Sequence, residues 1–78
     1  MRKFNNKSNI AGSYINKIRE SKNITKEELC QKMQLLGINM DRVHLYRLEK
    51  GLVIIKDFEL IAICNILNID INVLKNLL

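Results

Sequence analysis

The chain has 78 residues, of which 47% are hydrophobic and 27% are charged, with no proline and a net charge of +5. A chain of this length forms one domain that buries only about 60–65% of its unfolded surface, and its composition excludes disordered and fibrous classes. No apolar run approaches the roughly 18 residues of a membrane helix. Because the two cysteines are far apart and no charged-then-apolar leader precedes them, we expect a cytoplasmic protein with reduced thiols.

Residues 1–9 contain asparagine, serine and three cations without hydrophobic periodicity, and this pattern predicts a flexible N-terminal arm. The remaining residues, 10–78, are predicted to form the folded domain. From residue 10 apolar side chains recur at helical spacing, at Ile10, Ala11, Tyr14, Ile15 and Ile18. They predict a first helix over 11–22 that ends where Asn23 takes a left-handed conformation.

The second helix has the clearer start, because Thr25 and Glu28 have the spacing of a capping box. Apolar residues then mark one face, and Gly37 ends the helix, which predicts a span of 26–36. The face consists of Leu29, Cys30, Met33 and Leu36. Asp41 is a suitable N-cap and Gly51 a suitable terminator for a third helix over 42–50.

The segment LVIIK, residues 52–56, contains β-branched residues but has no partner strand, so it is predicted to be an extended loop. Asp57 is predicted to cap a fourth helix over 58–67, whose end is marked by Asn68. Asp70 is predicted to cap a last short helix over 71–77. The apolar residues of these two helices are Leu60, Ile61, Ile63, Cys64, Leu67, Ile71, Val73, Leu74 and Leu77. The pattern therefore predicts an all-α, compact five-helix bundle.

The third helix separates apolar from basic residues. On a wheel at about 100° per residue, Leu45, Leu48 and Leu52 share one side with Glu49. The opposite side carries Arg42, Val43, Tyr46, Arg47 and Lys50. A short helix with an anchored face and a basic outer face fits the major groove of DNA, about 12 Å wide, although an ordinary solvated surface helix has the same pattern.

Charge is concentrated on the same part of the chain. Residues 1–51 carry eleven of the thirteen lysines and arginines and five of the eight acids, a net charge of +6, whereas residues 52–78 have a net charge of −1. This asymmetry favours a polyanionic partner, either nucleic acid or an anionic membrane surface. The membrane alternative is weaker, because the apolar faces are needed for the core.

Three segments in order, IRESKNITKEELCQKM, LYRLEKG and DFELIAICNILNIDINVL, resemble the lambda-repressor-like helix-turn-helix family, also called the XRE or Cro/repressor class. The resemblance covers about residues 10–77 and depends on the ordered set of segments. It implies a DNA-binding domain in which Arg19 of the first helix pairs with Glu49 of the third. It also implies that Cys30 and Cys64 occupy positions of small core residues that are usually alanine.

The resemblance implies roles for eight further residues. Base contacts would come from Arg42, Val43, Tyr46 and Arg47, and phosphate contacts from Lys26, His44, Lys50 and Lys56. His44 would otherwise only pack against its neighbours. The chain departs from the family in QKMQLLGINM, residues 31–40, which is about five residues longer than the tight turn of the phage repressors. Either helix 2 is extended there or the turn is a loop.

The leading hypothesis is a sequence-specific double-stranded DNA-binding transcriptional regulator, acting as a homodimer and as a repressor. The alternative is a protein-interaction module, such as an antitoxin or adaptor with a protein partner, that uses the same scaffold. An enzyme is not expected, because the chain has one histidine, no glycine-rich phosphate loop and no nucleophile beside a base. We expect no cofactor and no metal site.

Overall fold

A computed structural model describes residues 4–78, and the helices follow the predicted order. They are α1 (Gly12–Ser21), α2 (Lys26–Leu35), α3 (Arg42–Glu49), α4 (Asp57–Leu67) and a C-terminal 3-10 helix (Ile71–Leu77). No strand occurs between residues 4 and 78, where the single isolated bridge joins Phe4 and Lys7. The predicted all-α fold with five helices is therefore confirmed, with a 3-10 helix as its last member.

Side chains that accept from free backbone N–H groups determine where the helices begin. Thr25 Oγ1 accepts from Glu28 N while Glu28 Oε1 accepts from Thr25 N, both at 3.0 Å, so the predicted capping box is present. Asp41 Oδ1 accepts from His44 N at 2.7 Å and starts α3 as predicted. Each of these bonds satisfies a donor that the first helical turn leaves without a partner.

The start of α4 differs from the prediction. Asp57 is the first helical residue instead of the cap, and its carboxylate accepts only from the adjacent Phe58 N. Glu59 reaches back instead, and its Oε1 accepts from Lys56 N at 3.0 Å. The carboxylate that satisfies the helix start therefore comes from within the first turn.

All four α-helices end in the same hydrogen-bonded turn. After α1, Ile24 N donates to Arg19 O and Asn23 N donates to Glu20 O, which is the Schellman pattern. The other three ends repeat it with a residue at positive φ, and the four residues concerned are Asn23, Gly37, Gly51 and Asn68. These are the four terminators that the sequence predicts.

The core lies where α1, α2, α3 and α4 meet. Its fully buried large side chains are Ile15, Leu29, Met33, Met40, Leu45, Leu48, Ile63 and Leu67. Leu74 and Leu77 of the 3-10 helix are partly buried and pack against it. Burial of an aliphatic side chain of this size contributes about 1.5–3 kcal/mol, so α3 is anchored mainly by Leu45 and Leu48.

Several apolar residues of the predicted helices are exposed. Leu52 is 62% exposed because α3 ends at Glu49 and Gly51, at φ 75°, turns the chain away from the helical projection. Leu36 follows the end of α2 and is exposed for the same reason. Ile61 of α4 and Ile71 and Val73 of the 3-10 helix also lie on the surface.

The long connection between α2 and α3 is a loop, and α2 is not extended. The helix ends at Leu35, and Gln34 Nε2 donates to Met40 O at 2.9 Å, which ties the far end of the loop to α2. Met40 is fully buried. The loop is therefore fastened to the core at its end, immediately before Asp41 starts α3.

The predicted arm falls partly outside the described range, since residues 1–3 are not described. Within residues 4–9, Ser8 N donates to Gly51 O at 2.8 Å. Asn9 Nδ2 donates to Leu48 O at 3.0 Å and Val53 O at 2.7 Å, while its Oδ1 accepts from Gly12 N. Asn9 thus joins the start of α1 to the end of α3, and the flexibility of residues 1–9 stays a prediction.

Between residues 4 and 78, no single helix combines the length and hydropathy of a membrane span; α4 and the 3-10 helix, bent by 112°, meet such a criterion only when taken together.

Candidate nucleic-acid interface

Helix α3 is held by one side and exposes the other. Leu45, Leu48 and Glu49 are buried, and the helix packs on both α1 and α2. The five residues predicted for the outer face, Arg42, Val43, Tyr46, Arg47 and Lys50, are all exposed. The outer face therefore presents three cations, one aliphatic side chain and one phenol to solvent, a set that suits base edges, thymine methyls and phosphates.

A buried ion pair sets the distance between α1 and α3. Arg19 Nε donates to Glu49 Oε2 at 2.8 Å and Arg19 Nη2 donates to Glu49 Oε1 at 3.2 Å, a forked arrangement. The two side chains are only 5% and 4% exposed. The hydrogen bond to Glu49 raises the pKa of Arg19, against the opposing effect of burial. This is the pair that the resemblance implies, and it accounts for an acid beside the apolar stripe of α3.

Arg19 also contacts two groups beyond Glu49. Nη1 donates to Ile24 O at 2.7 Å, and Nη2 donates to Asn16 Oδ1 at 2.9 Å. The guanidinium therefore joins the turn before α2, the middle of α1 and the end of α3. Within the described residues every buried side-chain polar atom has a partner, so the pair is fully compensated.

A groove of about 360 Å³ lies between α1, the start of α2 and α3. Lys26 and Lys50, both predicted to contact phosphate, lie on its rim with Tyr46. The Lys50 ammonium is 5.7 Å from the centroid of the Tyr46 ring, a cation–π contact between neighbours on the outer face of α3. Lys26 also lies beside Arg42, Val43 and Tyr46 in a second depression.

Sequence reasoning missed three polar residues of the same groove, Lys7, Ser13 and Asn16. Lys7 lies in the segment that the sequence predicts to be a flexible arm, and the helical pattern of α1 identifies only its apolar face. The spacing of Ser13, Asn16 and Glu20 marks one outward face of α1, which was the available signal. What the sequence does not reveal is that α3 packs beside that face.

His44 and Lys56 lie apart from this groove. His44 Nε2 is 3.2 Å from Glu59 Oε2, and the imidazole is half-buried while the carboxylate is buried. Glu59 is thus a second buried acid, one that the sequence analysis did not identify. Lys56 is exposed at the start of α4, with its ammonium 5.8 Å from the centroid of the Phe58 ring. The structure favours the packing alternative for His44, because its imidazole is directed toward α4.

The cysteines are core residues. Cys30 and Cys64 are free thiols and both are buried. Burial raises the pKa of both thiols. Across residues 4–78 no group of three or more His, Cys, Asp or Glu residues is arranged to hold a metal ion.

A family model described as helix-turn-helix, HTH_3, matches residues 15–74. The matched region begins inside α1, includes α2, α3 and α4, and ends inside the 3-10 helix. Comparisons with curated proteins and with solved structures gave no match.

Proposed function

The chain belongs to the helix-turn-helix family HTH_3 of DNA-binding, lambda-repressor-like regulators, and we propose that it is a sequence-specific transcriptional repressor that places α3 in the major groove. One observation carries this proposal: α3 buries Leu45, Leu48 and Glu49 and exposes its basic side. A helix anchored in this way presents the same side chains to the groove each time it binds. Recognition of a specific base sequence requires such a fixed presentation.

In this proposal Arg42, Val43, Tyr46 and Arg47 contact base edges. Arginine binds guanine O6 and N7 bidentately, and an aliphatic side chain contacts the thymine methyl. Lys26 and Lys50, on the rim of the neighbouring groove, and Lys56, at the start of α4, contact phosphates. His44 is left out, because Glu59 already holds its imidazole. A domain bound at its operator blocks access by other proteins without further chemistry, and repression is therefore the activity that we propose.

Selection of bound sequences from a random duplex pool tests the proposal. We expect a consensus sequence, and we expect affinity for it to fall with salt by about 0.9 log units per log unit of salt for each phosphate neutralised. Failure to enrich any sequence, or binding that does not change with salt, would contradict it.

Arginine substitutions test the assignment of base contacts. Arg42→Ala and Arg47→Ala should each weaken binding to the selected site by about 1–3 kcal/mol and relax the preference at the base pair concerned. Lys32→Ala removes one exposed cation of α2 outside the proposed surface and is the matched control. If the substitutions weakened binding to the selected site and to unrelated duplexes equally, these arginines would contact phosphates and not base edges.

We further propose that the repressor binds as a homodimer to a two-fold operator, since two half-sites multiply the specificity of one small module. Between Leu52 and Ile61 the chain exposes four large apolar side chains, Leu52, Ile54, Phe58 and Ile61. They supply apolar surface for a subunit contact. When the duplex is saturated with protein, sedimentation should give a stoichiometry of two chains per duplex. A stoichiometry of one chain per duplex would contradict the dimer.

The same apolar side chains favour a second candidate, a protein-interaction module such as an antitoxin or adaptor. In that case a stoichiometric protein partner should be captured equally by the wild type and by the variant with Arg42→Ala and Arg47→Ala. Replacing Phe58 and Ile61 with serine should abolish capture. If the arginine variant loses all activity in cells, the DNA-binding proposal stands and this one fails.

A further inference from the structure

We propose that the groove between α1, α2 and α3 binds one backbone phosphate of the DNA, with Lys7, Ser13 and Asn16 as ligands in addition to the lysines on its rim. The inference rests on the proposed function, because the phosphate belongs to the same duplex that α3 reads. In this proposal α1 and the segment before it contact the DNA backbone, in addition to the contacts that α3 makes in the major groove.

The orientation of Asn16 is the first step. Its Oδ1 accepts from Arg19 Nη2 at 2.9 Å, and a guanidinium can only donate. The amide therefore cannot flip without losing this bond, and its Nδ2–H₂ group is the part left for a ligand. Asn16 lines the groove, so the buried Arg19–Glu49 pair fixes a donor at the place where an anion would enter.

Lys7 is positioned by the turn that contains it. Phe4 N donates to Lys7 O at 3.1 Å and Lys7 N donates to Phe4 O at 3.0 Å, and Ser8 N then fastens the turn to Gly51 O. The aliphatic stem of Lys7 lies against Gly51. A Cβ built on Gly51 would be 3.1 Å from Lys7 Cδ and 3.3 Å from Lys7 Cβ. The turn and the contact with Gly51 hold the start of the Lys7 side chain beside the groove, which lowers the entropy cost of placing the ammonium there.

The charges of the groove favour an anion. Lys7, Lys26 and Lys50 line it with two acids, Glu20 and Glu49. Glu49 is neutralised by its forked pair with Arg19, so Glu20 is the one acid of the lining that opposes the three ammonium groups. The hydroxyl of Ser13 adds a neutral donor to the same wall. Ammonium, amide and hydroxyl donors around one concave surface are what a phosphodiester requires.

Charge variants test the proposal on the duplex recovered from the random pool. Lys7→Ala should reduce the salt slope of binding by about one. Lys75→Ala, in the 3-10 helix, removes the same charge away from the groove and should leave the slope within about 0.3 of the wild-type value. Glu20→Gln should strengthen binding, and this gain cannot come from loss of folded protein.

Asn16→Asp tests the amide. The new carboxylate still accepts from Arg19 but replaces the two donors with a negative charge, so binding should weaken by about 10-fold or more. Asn65→Asp, an exposed position on α4, makes the same charge change and should have a smaller effect. Thermal unfolding of each variant checks that the fold is retained.

Neutral methylphosphonate, substituted for one phosphate at a time, identifies the ligand itself. Replacement of the phosphate that lies in the groove should weaken binding of the wild type. The same replacement should weaken binding of Lys7→Ala and Asn16→Asp little further. If the wild type binds the duplex but Lys7→Ala, Asn16→Asp and Glu20→Gln bind with the wild-type affinity and salt slope, this inference fails and the proposed function stands. If the wild type binds no duplex, both fail.

Discussion

At the scale of single residues, the buried Arg19 joins three parts of the fold. Its guanidinium pairs with Glu49 and also donates to Asn16 Oδ1 and Ile24 O. Because Glu49 is the last residue of α3, the pair fixes where the end of that helix lies relative to α1. Arg19 therefore links the core to the outer face that we propose reads DNA.

Removal of one member of the Arg19–Glu49 pair should destabilise the fold, because the other member stays buried. Glu49→Gln leaves the Arg19 charge buried without a counter-ion and should lower the free energy of unfolding by about 3–5 kcal/mol. Urea titration measures the change, and Glu27→Gln on the exposed side of α2 is the control, expected within about 0.5 kcal/mol of wild type. A loss below about 1 kcal/mol from Glu49→Gln would mean that the pair behaves as a surface contact.

The cysteines give a prediction that depends on pH. Burial raises the pKa of Cys30 and Cys64, so the folded state favours the protonated thiols more than the unfolded state does. The associated stability is present below the ordinary thiol pKa and is lost as the pH rises through the raised folded pKa. The free energy of unfolding should therefore fall at alkaline pH, and alkylation should be much faster in urea than in the native protein.

The control for that measurement is the variant with Cys30→Ala and Cys64→Ala, in which the alkaline loss of stability should be smaller. Rapid native alkylation at neutral pH would contradict the burial of the thiols.

The placement of the candidate site residues was predictable where one helix face carries them. The outer face of α3 follows from the 3.6-residue period, because burial of Leu45 and Leu48 fixes the direction of Arg42 and Arg47. Lys7 and Asn16 were not predictable, since no periodicity reports which two faces of different helices meet. His44 lies at the border of the two faces of α3, and only the position of Glu59 on α4 determines its direction.

At the scale of elements, the helix ends follow local signals closely. Asn23, Gly37, Gly51 and Asn68 adopt positive φ where the helical patterns stop. These residues tolerate the left-handed region, and the signal therefore lies in the residue itself. The start of α4 was harder, since Asp57 and Glu59 can each satisfy backbone donors and the sequence does not rank them.

Gly12 shows a limit of propensity at the same scale. In most helices Gly→Ala raises stability, because glycine costs about 0.5–1 kcal/mol relative to alanine. A Cβ at position 12 would instead overlap the backbone oxygen of Leu48, and it would come within 3.1 Å of Glu49 Cα. Only glycine at position 12 therefore allows the start of α1 to come this close to the end of α3.

Gly12→Ala should accordingly lower the free energy of unfolding by about 1–3 kcal/mol, as overpacking does. Ser13→Ala, at the adjacent exposed position, is the control and should be neutral or slightly stabilising. Thermal or urea unfolding measures both. Increased stability in Gly12→Ala would show that α1 and α3 are not in backbone contact.

At the scale of the whole molecule, the charge asymmetry of the sequence corresponds to the arrangement of the fold. The three lysines that line the groove and the arginines of α3 all come from the basic residues 1–51. The order of helices was predictable from periodicity and capping signals. The course of the loop after α2 was not, because it depends on burial of Met40, a residue with no local signal.

The exposed apolar residues could not be predicted for a related reason. Leu52 and Leu36 continue a helical pattern on paper, yet both follow a helix end, where the pattern no longer describes the backbone. Ile61 lies in a helix whose apolar residues cover more of its circumference than the core can contact. Which of them stay exposed is decided by the packing of the whole chain.

The placement of α3 in the major groove is tested most directly by a scan of the selected duplex with 7-deazapurines, which remove the N7 acceptor from the major groove and leave the minor groove unchanged. If α3 reads the major groove, at least one substitution should weaken wild-type binding by about 1–3 kcal/mol and should have little effect on Arg42→Ala or Arg47→Ala. Wild-type affinity that is unchanged at every substituted purine would contradict the placement of α3.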